Sequence, residues 1–409
     1  MPKNTLRLLP LLLLILSAAL GTAQTGAVRG FVYDKGTGGP VIFTNVILKG
    51  TSIGAATDVN GYYSITKVPV GNYTLMVTAL GYDTLMMDIE VKDGRILSEQ
   101  LYISETRITM KTFVVSAEKQ DMLNTVRMSV TKLDPKQIDR LPAIGGEADL
   151  AQYLQVVPGV IFTGDQGGQL YIRGGSPIMN KVLMDGMVLY NPFHSIGLFS
   201  VFDNDIIRNA DVYTGGFNAE HGGRISSVMD ITTRDGNRTR LSGKVGASTF
   251  AAKAMLEGPL KKATEDSPGS SSFLLNVRHS YLDQTSKSIY EYVDEDGLPF
   301  TFTDIYGKVS FNGANGSKFN LFGFNFTDGV QYQSVSDLNW TNSGGGTNFV
   351  LVPSGSPVLI EGVLAVSNYE VSLQEADLDP RTSSINGFNG GLNFKYFMGD
   401  DEMRYGVEV

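Results

Sequence analysis

At 409 residues the chain is long enough for two or three domains. Its 42% hydrophobic and 18% charged residues, with 47 glycines, suit many short strands joined by tight turns. A net charge of -9 without basic clusters interleaved with aromatics speaks against a nucleic-acid partner, and the absence of cysteine excludes disulfides, thiolate metal sites, cysteine nucleophiles and a lipidated N-terminal cysteine.

Lys3 and Arg7 precede the apolar run Leu8 to Leu20, and small residues follow at Gly21, Thr22 and Ala23. That order is expected to be a secretory signal peptide, residues 1–24, cleaved near Ala23 or Gln24. No internal stretch reaches the roughly 18 apolar residues of a membrane-crossing helix, so any span has to be built from strands.

Residues 25–104 read as a β-sandwich of about seven strands. Val28 to Tyr33, Val46 to Lys49 and Tyr73 to Val77 alternate, and turn signals stand at Asp34 to Gly39, Asn60-Gly61 and Gly71-Asn72. The pieces Gly30-Phe31-Val32, Thr57 to Tyr63, Val68 to Tyr73 and Leu80-Gly81-Tyr82 resemble the carboxypeptidase regulatory-like sandwich. That resemblance implies a binding or spacer module without a peptidase site. Asp58 and Asn60 are read as a hairpin turn in preference to a calcium loop.

Residues 105–132 are expected to be a linker. Within it Thr112, Phe113, Val114, Val115, Ser116 and Ala117 form a short β-prone run in polar surroundings. Such a run suits strand addition to the open sheet edge of a partner.

Residues 133–238 read as an α+β domain. Asp134-Pro135 caps a short helix expected over Pro135 to Arg140, and a second is expected from Glu147 to Val156 with Leu150, Leu154 and Val157 on one face, ended by Pro158-Gly159. Arg173-Gly174-Gly175, the hairpin signal Asp185-Gly186, Gly215-Gly216 and Gly222-Gly223-Arg224 follow between apolar runs. This series resembles the plug of TonB-dependent outer-membrane receptors. The resemblance implies that Thr112 to Ala117 is the energy-coupling box bound by periplasmic TonB. Arg173 and Arg224 would suit burial against carboxylates, since a guanidinium donates bidentately, and the resemblance gives them a structural role holding the plug.

From residue 239 to 409 the pattern is long alternating strands, eight between Leu241 and Met398 and a ninth beginning at Met403. Phe273, Leu275, Val277, His279 and Tyr281 fall on one face, Ser272, Asn276, Arg278 and Ser280 on the other, as a strand between lipid and an aqueous lumen requires. Short connections at Asn312 to Ser317, Ser354 to Pro357 and Gly399 to Glu402 are expected in the periplasm, longer ones around Tyr290 to Phe300 and Gly329 to Asp337 outside. Plugged barrels use about 22 strands, so this stretch is expected to be an incomplete antiparallel transmembrane β-barrel, truncated by roughly a dozen strands.

Catalytic patterns do not emerge: His194, His221 and His279 form no HExxH, and no GxSxG or GxxxxGK[ST] occurs. No cofactor or metal is expected; Asp203, Asp205 and Glu220 are read as solvated turn carboxylates, and Asp294-Glu295-Asp296-Gly297 as an acidic loop. The resulting expectation is an outer-membrane transporter, mainly β, driven through TonB by the proton gradient, with outer-membrane lipid and a small nutrient as its other partners. A surface adhesion or sensing protein without transport is the alternative. The resemblance extends to glycan importers with a lipoprotein lid, but Asn191-Pro192-Phe193-His194 and Phe202 to Asp205 depart from their pattern, leaving both substrate and lipoprotein partner open.

Overall fold

A computed structural model describes residues 24–106, 130–133, 135–139, 148–163, 169–194, 197, 199–264, 268–289, 297–332, 335–375, 378–398 and 401–409. The expected leader up to Ala23, the Thr112 to Ala117 segment, Asp134, Arg140, Glu147 and Asp294 to Asp296 lie outside these residues.

Seven strands form the first unit: β1 (Thr25–Asp34), β2 (Asn45–Leu48), β3 (Gly54–Ala56), β4 (Tyr62–Pro69), β5 (Gly71–Thr78), β6 (Leu85–Val91) and β7 (Ile96–Ile103). They pair as two sheets, β4-β1-β7 and β3-β2-β5-β6, with β1 and β7 parallel. Inward residues Val28, Val32, Val46, Leu48, Ile65, Leu75, Val77 and Leu101 fill the space between them. The sandwich expectation holds. One strand departs from simple alternation: on β1, Arg29, Phe31 and Tyr33 are as buried as the core-facing Val28 and Val32. A strand covered on both faces has a second neighbour.

The central α+β unit starts with β8 (Val130–Leu133), α1 (Pro135–Ile138) and α2 (Leu150–Leu154). Leu150, Leu154 and Val157 are buried together as their spacing requires, while α2 is shorter than expected because Asp149 caps it, accepting from Ala151 N at 2.7 Å. After β9 (Val160–Thr163) and β10 (Gln169–Ile172) come β11 (Asn180–Met184) and β12 (Met187–Leu189). Between the last two, Asp185 and Gly186 take φ of 51° and 87°, the primed hairpin geometry that matches strand twist. The small ladder of β13 (Phe193–His194) and β14 (Phe199–Ser200) leads to β15 (Ile207–Tyr213) and β16 (Ser227–Thr233). The main sheet runs β12-β11-β16-β15-β8.

Nine antiparallel strands follow in sequence order: β17 (Ser242–Ala247), β18 (Ala251–Lys261), β19 (Ser270–Ser280), β20 (Phe300–Asn312) and β21 (Lys318–Tyr332), then β22 (Ser336–Leu351), β23 (Val358–Glu375), β24 (Arg381–Met398) and β25 (Asp401–Glu408). The sheet is open, its edges β17 and β25 unpaired with each other. On β19 the even-numbered residues from Ser272 to Ser280 are buried and the odd ones face outward, so the predicted alternation stands. The outer face carries Leu275, Ile305, Phe319, Leu321, Leu364 and Val366. The inner face is less polar than expected, since Leu274, Tyr306, Phe322, Phe324 and Phe326 pack with the core of the central unit. Two connections also differ. An amphipathic helix α3 (Leu282–Ile289) follows β19, and the expected long connection at Gly329 to Asp337 is a short link between β21 and β22, which pair as far as Tyr332 and Ser336.

Candidate functional site

The central unit sits in the curl of the nine-stranded sheet, and the chemistry of that seat is the functional feature of the molecule. An apolar layer is flanked by polar clusters, each with members from both units. Farthest from the sandwich is His194, 1% exposed on β13. Its Nδ1 lies 2.9 Å from Asp328 of β21 and its Nε2 2.8 Å from Asp304 of β20, while its ring stacks on Phe302 at 4.1 Å. Burial alone would keep this imidazole neutral; Asp304 and Asp328 outweigh it and push the pKa up to about 9. Arg278 of β19 donates from Nε to Asp304 at 2.9 Å and from Nη2 to Ser200 O at 2.5 Å, with Asp149 3.8 Å from Nη1. Asp149, which also accepts from Ser200 N, is raised by burial to about 6 despite Arg278.

A second cluster forms beside β17 and β18. Asp203, 3% exposed, takes Lys253 at 3.0 Å and Asn276 at 3.2 Å, and Asp205 takes Lys244 at 2.6 Å and Lys253 at 3.0 Å. Arg234 bonds Glu257 at 2.6 Å. The expected solvated turn carboxylates are therefore anchors: lysines from the sheet reach over and neutralise them. Glu220 stands apart, near Arg404 of β25 at 3.4 Å.

The third cluster is nearest the sandwich. Asp185 of the hairpin accepts from Thr233 Oγ1 at 2.6 Å, Tyr306 Oη at 2.8 Å and Lys308 Nζ at 3.3 Å. Asp235 meets Lys318 at 2.5 Å, Arg208 at 2.9 Å, and Lys308 and Arg238 at 3.7 Å each. Burial would raise the Asp235 carboxyl, yet Arg208, Lys318, Lys308 and Arg238 hold it well below the usual carboxylate range. A buried carboxylate among four cations resists removal, because Arg208 and Lys318 would be left buried without their counter-charge, while Lys308 would keep Asp185.

The motif residues singled out in the sequence divide. Asp185 and Gly186 belong to the third cluster, and a Cβ on Gly186 would stand 2.9 Å from Val363 of β23. Arg173 and Gly174 make a second turn of positive φ, 48° and 79°, closing the Ile172–Gly175 bridge, and Gly175 lets Ser226 approach. Gly215, Gly216, Gly222 and Gly223 lie in exposed loops. The expectation of burial for Arg173 and Arg224 is corrected: both are exposed, and Arg224 donates to Gly223 O. Buried basic residues lie elsewhere, at Arg208, Arg278, Lys308 and Lys318. A signal for three of these existed, since Arg278, Lys308 and Lys318 occupy inward positions on strands of strict alternation.

Residues 28–115 match the CarboxypepD_reg-like domain family and residues 123–227 the TonB-dependent receptor plug domain family. TonB-dependent receptor SusC of Bacteroides thetaiotaomicron is 28% identical over 52% of this chain, and TonB-dependent receptor P3 of Formosa agariphila 25% over 56%. These matches span 21% and 22% of the two relatives' own lengths. Among solved structures, the FrpB iron transporter of Neisseria meningitidis superposes with a TM-score of 0.51 at 16% identity, covering 68% of this chain and 47% of that one, and shares the fold. No helix among the described residues is long and apolar enough to cross a membrane, a statement that leaves strands open. The family matches fall on the sandwich and on the unit seated in the sheet: the chain carries a CarboxypepD_reg-like domain and a TonB-dependent receptor plug domain, and it is similar to the TonB-dependent receptors of the outer membrane.

Proposed function

We propose that the protein is a receptor for active uptake, in which a small nutrient binds from outside and the seated plug yields when TonB pulls on Thr112 to Ala117, with the proton gradient as the energy source. In this reading residues 1–24 are the leader, 25–104 the periplasmic sandwich, 105–132 the linker, 133–238 the plug and 239–409 the first part of a longer barrel. The observation that carries it is the seat itself. A folded domain occupies the curl of the sheet and is fastened by ion pairs such as Lys318–Asp235 and Lys253–Asp203, so a solute crosses only if work is done on that domain. Partial removal is feasible because these charged groups can be rehydrated in place of their partners. Arg173, Gly174, Gly175, Gly215, Gly216, Gly222, Gly223 and Arg224 then shape exposed turns of the plug, and a lipoprotein lid over the outer end is compatible with the family.

The test is deletion of Lys111 to Glu118 from the full-length gene, in a host that depends on it for a labelled nutrient. Uptake is expected to fall to background while surface binding and outer-membrane level stay unchanged. Continued uptake would show that energy does not enter through this segment, and would favour binding without transport.

A further inference from the structure

The sandwich is fastened to the sheet at its turn end and, through two shared arginines, to the plug. On β1, Arg29, Phe31 and Tyr33 point away from the sandwich core and are 3 to 4% exposed. Arg29 donates to Pro353 O at 2.7 Å and to Ser356 O, and Gln100 donates to Ala314 O. Phe31, Tyr33 and Tyr62 cluster with Val350, Val352 and Leu359, and the Phe31 ring fills the space a Cβ on Gly316 would need. Arg208, which pairs with Asp235, also donates to Val59 O at 3.3 Å. Arg238, the other arginine at Asp235, lies over the Tyr33 ring at 4.9 Å, and its backbone N–H donates to Thr37 O at 2.8 Å.

We propose that the sandwich is a latch on the plug: docked, it holds the two arginines of Asp235 in place, so that sandwich docking and plug seating stabilise each other. Linkage makes this reciprocal, and displacing the plug loosens the sandwich by the same factor. The inference goes beyond the uptake proposal, and its test uses neither nutrient nor TonB.

Ser272 is fully buried on the inner face of β19, so a Ser272→Cys probe in full-length protein, with other cysteines replaced by serine, reports opening of the seat by its rate of maleimide labelling. The rate is read at the peptide carrying position 272, in detergent micelles and sub-denaturing urea. Gln100→Cys with Ala314→Cys, oxidised, is expected to slow labelling about tenfold, with recovery on reduction. Arg29→Met, which removes the anchor without touching Asp235, is expected to speed it about tenfold. If Arg29→Met unfolds the sandwich, docking is lost by another route and the same acceleration follows. An unchanged rate in Arg29→Met, whether or not the cross-link forms, overturns the latch and leaves the sandwich a spacer.

Discussion

The sandwich and the plug are neighbouring small domains whose interiors are completed in different ways. The sandwich core is made of its own residues, from Val28 through Leu75 to Ile103. The plug core takes in Leu274, Tyr306, Phe322, Phe324, Phe326 and Ala365 from the sheet around it, and its rim is a set of ion pairs whose other halves also belong to the sheet. One domain is thus stabilised by what it contains, the other by where it sits. Such a division fits a part that stays folded and a part that moves.

Asp235→Ala should break the contrast most. It leaves Arg208 and Lys318 without their counter-charge, with Lys308 still held by Asp185, and a loss of about 3–5 kcal/mol in plug seating is expected, measured as a fall in the urea midpoint for maleimide labelling of the Ser272→Cys probe. Next in size, Leu75→Ala opens a cavity in the middle of the sandwich. Residues 24–106 are expected to fold alone, and this variant to lose about 3 kcal/mol of their unfolding free energy in a denaturant titration. An isolated sandwich without a cooperative transition would erase the distinction between the two domains.

The smallest effect depends on pH. The His194 pKa rises from 6.5 to about 9 on folding, so its contribution is complete below pH 6.5 and is lost as pH climbs through 9. Plug seating should weaken across that window by at most about 3 kcal/mol, and His194→Gln should remove this part of the pH dependence. A slope unchanged in His194→Gln would assign it to other groups.

Much of this architecture was legible because strand periodicity is a local signal. The sandwich strands, the Asp185-Gly186 hairpin and the nine long strands all follow from alternation and turn residues, which depend on side-chain direction and on φ within a few positions. The face of β1 that meets the sheet was visible only as an unusually apolar run, Phe31-Val32-Tyr33, whose partner turns at 313–317 and 353–357 lie far along the chain.

Sequence by itself therefore determined which segments are strands, where they turn and which way their apolar residues point. Only the tertiary structure decided which charges are buried and with whom. Arg173 and Arg224 stand beside glycines suggestive of tight packing yet remain exposed, whereas Asp203 and Asp205, which read as turn residues, are buried or paired. The physical reason is that an ionised group enters a low-dielectric interior only where an opposite charge meets it, and for Asp203 that charge is on Lys253, fifty positions away on another element.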